Sequence, residues 1–315
     1  MGNKIPLIII TGPTAVGKTE LSVKLAKEIN GEIISADSIQ VYRYMDIGSA
    51  KVTPEEMQGV RHYLIDELDP AEEFNIYVFQ EKAKKYVKEI RDSGKIPVIA
   101  GGTGFYIQSL LYDIDFTEEN NDQEYRKELE ALAAEKGNHY LHEMLRMVDQ
   151  DSADSIHENN VKRVIRALEY YKQTGEKISL HNQEQREKDS PYDFQYFVLN
   201  MDRKLLYERI DARVDAMMER GLVEEVRRLK EMGYARGLVS MQGIGYKEIY
   251  AYLEGEIPLE EAVYLIKRDT RHFAKRQLTW FRREKEVKWV NYEEFGMDRD
   301  RVLKYLAEES LNIIR

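Results

Sequence analysis

The stretch Ile5-Pro6-Leu7-Ile8-Ile9-Ile10-Thr11-Gly12-Pro13-Thr14-Ala15-Val16-Gly17-Lys18-Thr19 decides the fold of this chain. Its first half is a β-branched apolar run that ends in glycine. From Lys18 an apolar spacing of helical period continues through Leu21, Leu25 and Ile29. That is strand, loop, helix. The loop fits G-x-x-x-x-G-K-[ST], in which glycines let successive backbone N–H groups curl around phosphate oxygens while the lysine and the helix dipole add positive charge. Gly12, Pro13, Thr14, Ala15, Val16, Gly17, Lys18 and Thr19 are thus candidate phosphate-binding residues, and the Thr19 hydroxyl can ligate Mg²⁺. Ordinary residue frequencies put a chance match in a chain of this size on the order of one in a hundred. A turn that merely joined strand to helix would have no need of Lys and Thr at the helix start.

Working outward, short apolar runs at 32–35, 63–65 and 96–100 alternate with helical stretches such as 75–91. Continuous apolar runs suit strands buried on both faces of a parallel sheet, so the pattern predicts a doubly wound α/β fold of P-loop NTPase-like type with flanking helices. From 115 to 193 the chain is polar and helical in composition, which predicts an inserted helical domain. Residues 1–114 and 194–315 are expected to form the α/β core that carries the loop. In the second part of that core a strand is expected at 194–200 and helices at 204–220, 223–232, 247–254 and 259–284, punctuated by Gly221, Gly233, Gly255 and Pro258.

Composition narrows the class. The 315 residues are 43% hydrophobic and 33% charged, which fits neither a membrane protein nor a disordered chain. No apolar run reaches the roughly 18 residues of a spanning helix, and residues 1–10 run straight into the loop without a small-residue cleavage site, so neither a membrane partner nor a signal peptide is expected. The absence of cysteine excludes disulfides, thiolate metal sites and cysteine nucleophiles, and a reducing cytoplasm is the natural home. Asp+Glu number 57 against 47 Lys+Arg, a net charge of −10, which taken whole argues against a polyanion partner.

The loop specifies phosphate but not the reaction. A hydrolase or kinase would normally carry an Mg²⁺-holding acid at the end of a second apolar strand. Here the run 96–100 ends in Gly101-Gly102-Thr103-Gly104, and the substitute Leu64-Ile65-Asp66 lies in an acidic stretch where a surface carboxylate is the commoner role. After the run 32–35, Asp37 stands at the strand edge where ligands sit in doubly wound sheets. Helix N-cap is an equally good role for it or for Ser38.

Taken together, Gly12–Thr19, Asp37-Ser38-Ile39-Gln40-Val41-Tyr42, Asp46-Ile47-Gly48-Ser49-Ala50-Lys51 and Gly101-Gly102-Thr103-Gly104-Phe105-Tyr106 closely resemble the bacterial tRNA dimethylallyltransferases, or tRNA isopentenyltransferases. Lys162-Arg163-Val164-Ile165-Arg166, Arg213, Gln242-Gly243-Ile244-Gly245-Tyr246-Lys247 and Lys275-Arg276-Gln277-Leu278-Thr279-Trp280 follow in the family's order over nearly the whole chain. The resemblance implies transfer of a dimethylallyl group from dimethylallyl diphosphate to N6 of the adenosine 3′ of a tRNA anticodon. Mg²⁺ on Thr19 is the expected cofactor, and a monomer is expected. By position, Asp37 matches the family's proton acceptor, Thr103 a residue near the reacting centre and Arg213 one associated with the diphosphate held by Gly12 to Thr19. On helix 204–220 alone, Arg213 would ordinarily be a solvated charge.

The same resemblance places Asp37, Ser38, Ile39 and Gln40, Lys162 to Arg166, Gln242 to Lys247, and Lys275 with Arg276 against the anticodon stem-loop, with the insertion gripping it from the other side. In the helical stretch from 161, Val161, Val164, Ile165 and Leu168 share one face and leave Lys162, Arg163 and Arg166 on the other. In the last long helix Ile266, Phe273 and Trp280 recur every seven residues, while Arg268, Arg271, Lys275 and Arg282 follow another stripe. A solvated, salt-bridged face is the bland alternative for both. Local basic excess in an acidic chain is what a phosphate backbone senses, so the overall charge does not decide against RNA. His139, His142 and His157 lack neighbours that would complete a metal site. The competing functions are prenyl transfer to free adenylate, a P-loop kinase or NTPase, and an RNA-binding module that uses the loop only for docking.

Overall fold

A computed structural model describes residues 4–115 and 123–314; residues 1–3 of the N-terminal stretch, 116–122 of the insertion and 315 lie outside it. Strands β1 (Ile5–Thr11), β2 (Gly31–Ala36), β3 (His62–Tyr63), β4 (Ile96–Gly101), β5 (Tyr192–Asn200) and β6 (Val287–Asn291) form a six-stranded sheet in the order β3-β2-β4-β1-β5-β6. Every pairing is parallel. The apolar run of β1 is buried on both faces. Ile8 and Ile10 pack with Leu21 and Leu25 of the helix Lys18–Glu28, whereas Leu7 and Ile9, on the opposite face by the strand's period of two, are equally inaccessible.

From β1 the chain builds outward to one side through β2, β3 and β4, then to the other through β5 and β6. The reversal at β1 leaves a crevice beyond its carboxyl end. The phosphate loop occupies that position.

Four elements differ from expectation. The predicted strand 63–65 stops at Tyr63, because Leu64 (φ 61°) and Asp66 (φ 55°) turn into the left-handed region. β6 and the helix Arg299–Leu311 were not foreseen: β6 is a short edge strand within a charged tail, and only its partner β5 reveals it. The returning strand β5 starts before 194, at Tyr192, which pairs with Ile5.

The chain divides into two compact units, Met1–Leu111 with Pro191–Arg315, and Tyr112–Ser190. The second contains the helices Gln123–Lys136, Asn138–Val148, Gln150–Ser155, Val161–Thr174 and Ile178–Glu187 around a core of its own, with Leu129, Leu141, Leu145, Val164 and Leu168. Asp149 holds this unit's connections: its carboxylate accepts from the backbone and hydroxyl of both Ser152 and Ser179, which keeps its pKa below the usual range despite burial. His142 Nε2 lies 2.9 and 2.8 Å from the carbonyls of Ala153 and Ile156, the ordinary situation of a core histidine. Among the described residues no helix is long and apolar enough to cross a membrane.

Candidate active site

Backbone conformation selects the loop's glycines. Gly12 has φ 141°, and a Cβ there would stand 2.4 Å from the Leu199 carbonyl of β5. Gly17 (φ 103°) precedes the helix Lys18–Glu28 in the left-handed region, and no side chain caps that helix. Its first-turn N–H groups are left for an anion. Lys18 folds back over the loop, donating to the carbonyls of Gly12 (3.0 Å) and Pro13 (2.9 Å). A Gly12→Ala variant is expected to lose soluble expression or diphosphate binding, read by thermal melting with and without pyrophosphate, because the clash is with backbone that cannot yield.

Beside the loop lies a cavity of about 380 Å³ lined by Lys18, Thr19, Asp37, Gln40, Lys51, Gly101, Gly102, Arg209, Arg213, Arg220, Phe273 and Gln277, among others. Among the described residues, Lys18, Arg209, Arg213 and Arg220 form no ion pair with a carboxylate. Four cations without an ion-pair partner among the described residues suit an anionic ligand in this cavity, which Asp37 and Glu56 also line. Desolvation, and then the neighbouring Arg213, push the Lys18 ammonium down to about 7, with Asp37 opposing. Burial likewise lowers Arg213, and Asp37 raises it again. Arg213 also reaches the loop, with Nη1 3.4 Å from Thr14 Oγ1. The residue first legible as a surface charge therefore lies in the crevice.

No helix begins at Asp37 or Ser38; the Asp37 carboxylate caps a turn instead, and the residue also lines the cavity. Its Oδ1 accepts from Ile39 N (2.9 Å) and Gln40 N (3.3 Å), fixing the turn after β2. Its Oδ2 has no hydrogen-bond partner among the described residues, and the residue lines the cavity. Thr103 holds the two strand ends together through its backbone N–H to the Ala36 carbonyl (3.1 Å), although it is not among the cavity-lining residues. Thr19 is exposed on the cavity wall, and its hydroxyl is unbonded among the described residues.

Several contributors carried no chemical signal of their own in the sequence. Buried Lys51 bonds to the Tyr42 carbonyl (2.7 Å), Asp46 Oδ1 (2.6 Å) and Asp66 Oδ1 (2.5 Å). Asp66, weighed as a stand-in for the Mg²⁺-holding acid, is thus engaged with Lys51 and is not on the cavity wall. Glu225 accepts from the backbone of Asp46, Ile47 and Gly48 and from the Tyr246 hydroxyl, which itself accepts from Ser49 N–H. Arg209, Arg220 and Gln277 reach the cavity only through the packing of their helices.

The IPP transferase family model matches residues 40–284. The chain belongs to the IPP transferase family. A tRNA dimethylallyltransferase of Lachnoclostridium phytofermentans is 62% identical over 309 residues, covering 97% of this chain and 99% of the relative, so the likeness extends through the phosphate loop. Among solved structures, the full-length tRNA isopentenylpyrophosphate transferase of Bacillus halodurans superposes with a TM-score of 0.71 at 44% identity, covering 98% of this chain and 99% of that one. A eukaryotic dimethylallyltransferase acting on tRNA gives 0.76 at 29% identity, over 91% and 74%.

In this IPP transferase the residues expected to meet RNA separate by exposure. Lys162, Arg163 and Arg166 are exposed, whereas Val164 (0%) and Ile165 (3%) belong to the core of the helical unit, a correction that follows from the apolar face of their helix. Ser38, Ile39 and Gln40 are half-buried, and Gln40 Nε2 lies 3.4 Å from the carbonyls of both Ser49 and Ala50. Gln242 is exposed, Gly243, Ile244 and Lys247 are half-buried, and Gly245 and Tyr246 are buried. Tyr246, at 0% exposure, braces the loop from Asp46 to Ser49 and presents no side-chain surface to RNA.

The stripe on the helix Leu259–Phe281 also divides. Arg268 pairs with Asp269 and Arg271 with Asp211, the bland outcome. Lys275 and Arg276 are exposed and form no ion pair among the described residues.

Proposed function

We propose that this chain transfers the dimethylallyl group of dimethylallyl diphosphate to N6 of the adenosine immediately 3′ of a tRNA anticodon, releasing diphosphate. The observation that carries the reading is the convergence of unpaired Lys18, Arg209, Arg213 and Arg220 with a carboxylate, Asp37, on one cavity. The allylic C–O bond breaks with its electron pair leaving on the diphosphate, so the developing charge is on the leaving group, where the cations and loop N–H groups stand. The C–N bond then forms from N6, whose lone pair is delocalised into the ring. Asp37, with one oxygen engaged in its turn and the other unbonded, accepts the proton that N6 must lose.

Mg²⁺ fits this site. Its protein ligand would be the unbonded Thr19 hydroxyl, with the remaining positions met by diphosphate oxygens and water, as Mg²⁺ prefers few protein ligands. When bound it neutralises leaving-group charge. A kinase or NTPase is disfavoured because the end of β4 is Gly101-Gly102 and Asp66 is paired with Lys51. Use of free adenylate would leave the exposed Lys162, Arg163, Lys275 and Arg276 without a ligand. As a tRNA enzyme it acts in the cytoplasm.

Incubation with radiolabelled dimethylallyl diphosphate, Mg²⁺ and either unmodified tRNA or AMP tests the reading. Label enters tRNA; ATP turnover without transfer, or transfer to AMP alone, overturns it. The double variant Lys275→Ala/Arg276→Ala is expected to bind tRNA more weakly, with a log K against log[salt] slope shallower by about 0.7–0.9 for each phosphate that the pair no longer neutralises. Filter binding across a salt series measures this, and an unchanged slope would return the pair to a solvated face.

A further inference from the structure

The residue that holds the two lips of the crevice together is Gln277, on the inner side of the helix that presents Lys275 and Arg276 to solvent. Its side chain is 6% exposed. Oε1 accepts from Thr14 N–H of the phosphate loop at 2.9 Å, while Nε2 donates to the Gly102 carbonyl beyond β4 at 2.9 Å. A carboxamide accepts through its oxygen and donates through its nitrogen, a pairing that neither a thioether nor an ionised carboxylate reproduces.

The approach is close. A Cβ on Gly102 would stand 2.1 Å from Gln277 Nε2, and one on Gly104 2.2 Å from the Trp280 ring one turn further along. A side chain at Gly104 would thus collide with the Trp280 ring, and one at Gly102 would displace the Gln277 carboxamide. Thr14 is held a second time by Arg213, from the helix Arg203–Glu219. Ion pairs of Lys267 with Asp215 (2.6 Å) and Arg271 with Asp211 (2.5 Å) join the two helices. A shift of the helix Leu259–Phe281 must therefore move Thr14, and with it the loop that grips the diphosphate.

We infer that Gln277 is a positioning residue that couples RNA seated on Lys275 and Arg276 to the affinity of the phosphate loop for diphosphate. The inference rests on the function proposed above and adds a route by which one substrate senses the other. Engaging Lys275 and Arg276 with RNA phosphates steadies the helix, and Gln277 passes that order to Thr14 through the hydrogen bond it accepts from the Thr14 N–H. By reciprocity, diphosphate tightens RNA to the same degree.

The test uses inorganic pyrophosphate with Mg²⁺ and an unmodified anticodon stem-loop RNA. Pyrophosphate Kd is measured by calorimetry without RNA and with saturating RNA, for the full-length protein and for Gln277→Met, which keeps the volume and removes both hydrogen bonds. In the parent, RNA tightens pyrophosphate by about fivefold or more. In Gln277→Met that factor falls towards one, while RNA affinity and its salt slope stay unchanged, a combination that general destabilisation would not produce.

Gln277→Glu keeps the acceptor for Thr14 N–H, loses the donor to Gly102 and is expected to retain part of the factor. It decides the matter if the methionine variant does not fold. No coupling in the parent, or full coupling in the folded Gln277→Met or Gln277→Glu protein, overturns the inference. Failure of the function itself is distinguishable, because the parent would then put no label into tRNA.

Discussion

Asp37→Asn is expected to slow dimethylallyl transfer at saturating substrates by roughly 10²–10⁴-fold, the range for a positioned general base, with tRNA affinity unchanged. The prediction depends on the division of labour between the two carboxylate oxygens. An asparagine oxygen can still accept from Ile39 N–H and Gln40 N–H, so the turn after β2 survives. What it cannot do is take the N6 proton. Asp37→Ala removes both functions and should add a stability loss of about 1 kcal/mol, as for other lost caps. Single-turnover transfer, tRNA Kd and thermal melting separate these contributions. A normal rate at saturation combined with weakened tRNA binding would make Asp37 an RNA contact instead of the proton acceptor.

Lys18→Met is expected to reduce transfer by about 10²–10³-fold, the scale for removing one preorganised charge from a developing anion. It should also remove a pH signature. In the free protein the Lys18 ammonium is pushed down to about 7 by desolvation and by Arg213. A diphosphate in the loop places negative charge beside it and raises that value, so the bound state holds more proton than the free state. Near pH 7.5, binding therefore takes up protons at Lys18, and its share of the affinity falls as pH rises above the free value of about 7. Titration with inorganic pyrophosphate in buffers of different ionisation enthalpy measures the uptake, and the difference between parent and Lys18→Met isolates Lys18 from the ligand's own ionisations. Equal uptake in both proteins would contradict the assignment.

The legible parts of the site were those made by consecutive residues. Gly12 to Thr19 could be read because the candidate phosphate-binding surface is the backbone of one loop, and glycine is demanded by local φ as much as by the approach of Leu199. Asp37 could be placed at a strand end, yet a ligand-facing role and a helix N-cap remained equal; the structure starts no helix there, engages one carboxylate oxygen in a turn and leaves the other without a partner among the described residues. Arg213 was legible only through the family's motif order. Its own helix has a weak apolar periodicity, which leaves its direction undecided, and burial against Thr14 settles it. Gln277 belonged to a recognised motif without any role, because its partners are far away in sequence.

The RNA-facing set shows the opposite failure. A contiguous motif was carried over whole, but a helix exposes only part of its circumference, so Val164 and Ile165 went to the core while Lys162 and Arg163 stayed in solvent. Tyr246 was lost for a different reason: its hydroxyl completes the Glu225 network under Asp46 to Ser49, an arrangement no local pattern contains.

By itself the sequence determined the parallel sheet, the phosphate loop and the family, since each depends on local periodicity, backbone freedom or motif order. Only the tertiary structure decided which cations enter the crevice, which carboxylates are already engaged with Lys51 and how the helix Leu259–Phe281 reaches the loop. Those outcomes are set by packing between segments far apart in the chain, where each charge is either neutralised by a neighbour or left for a ligand.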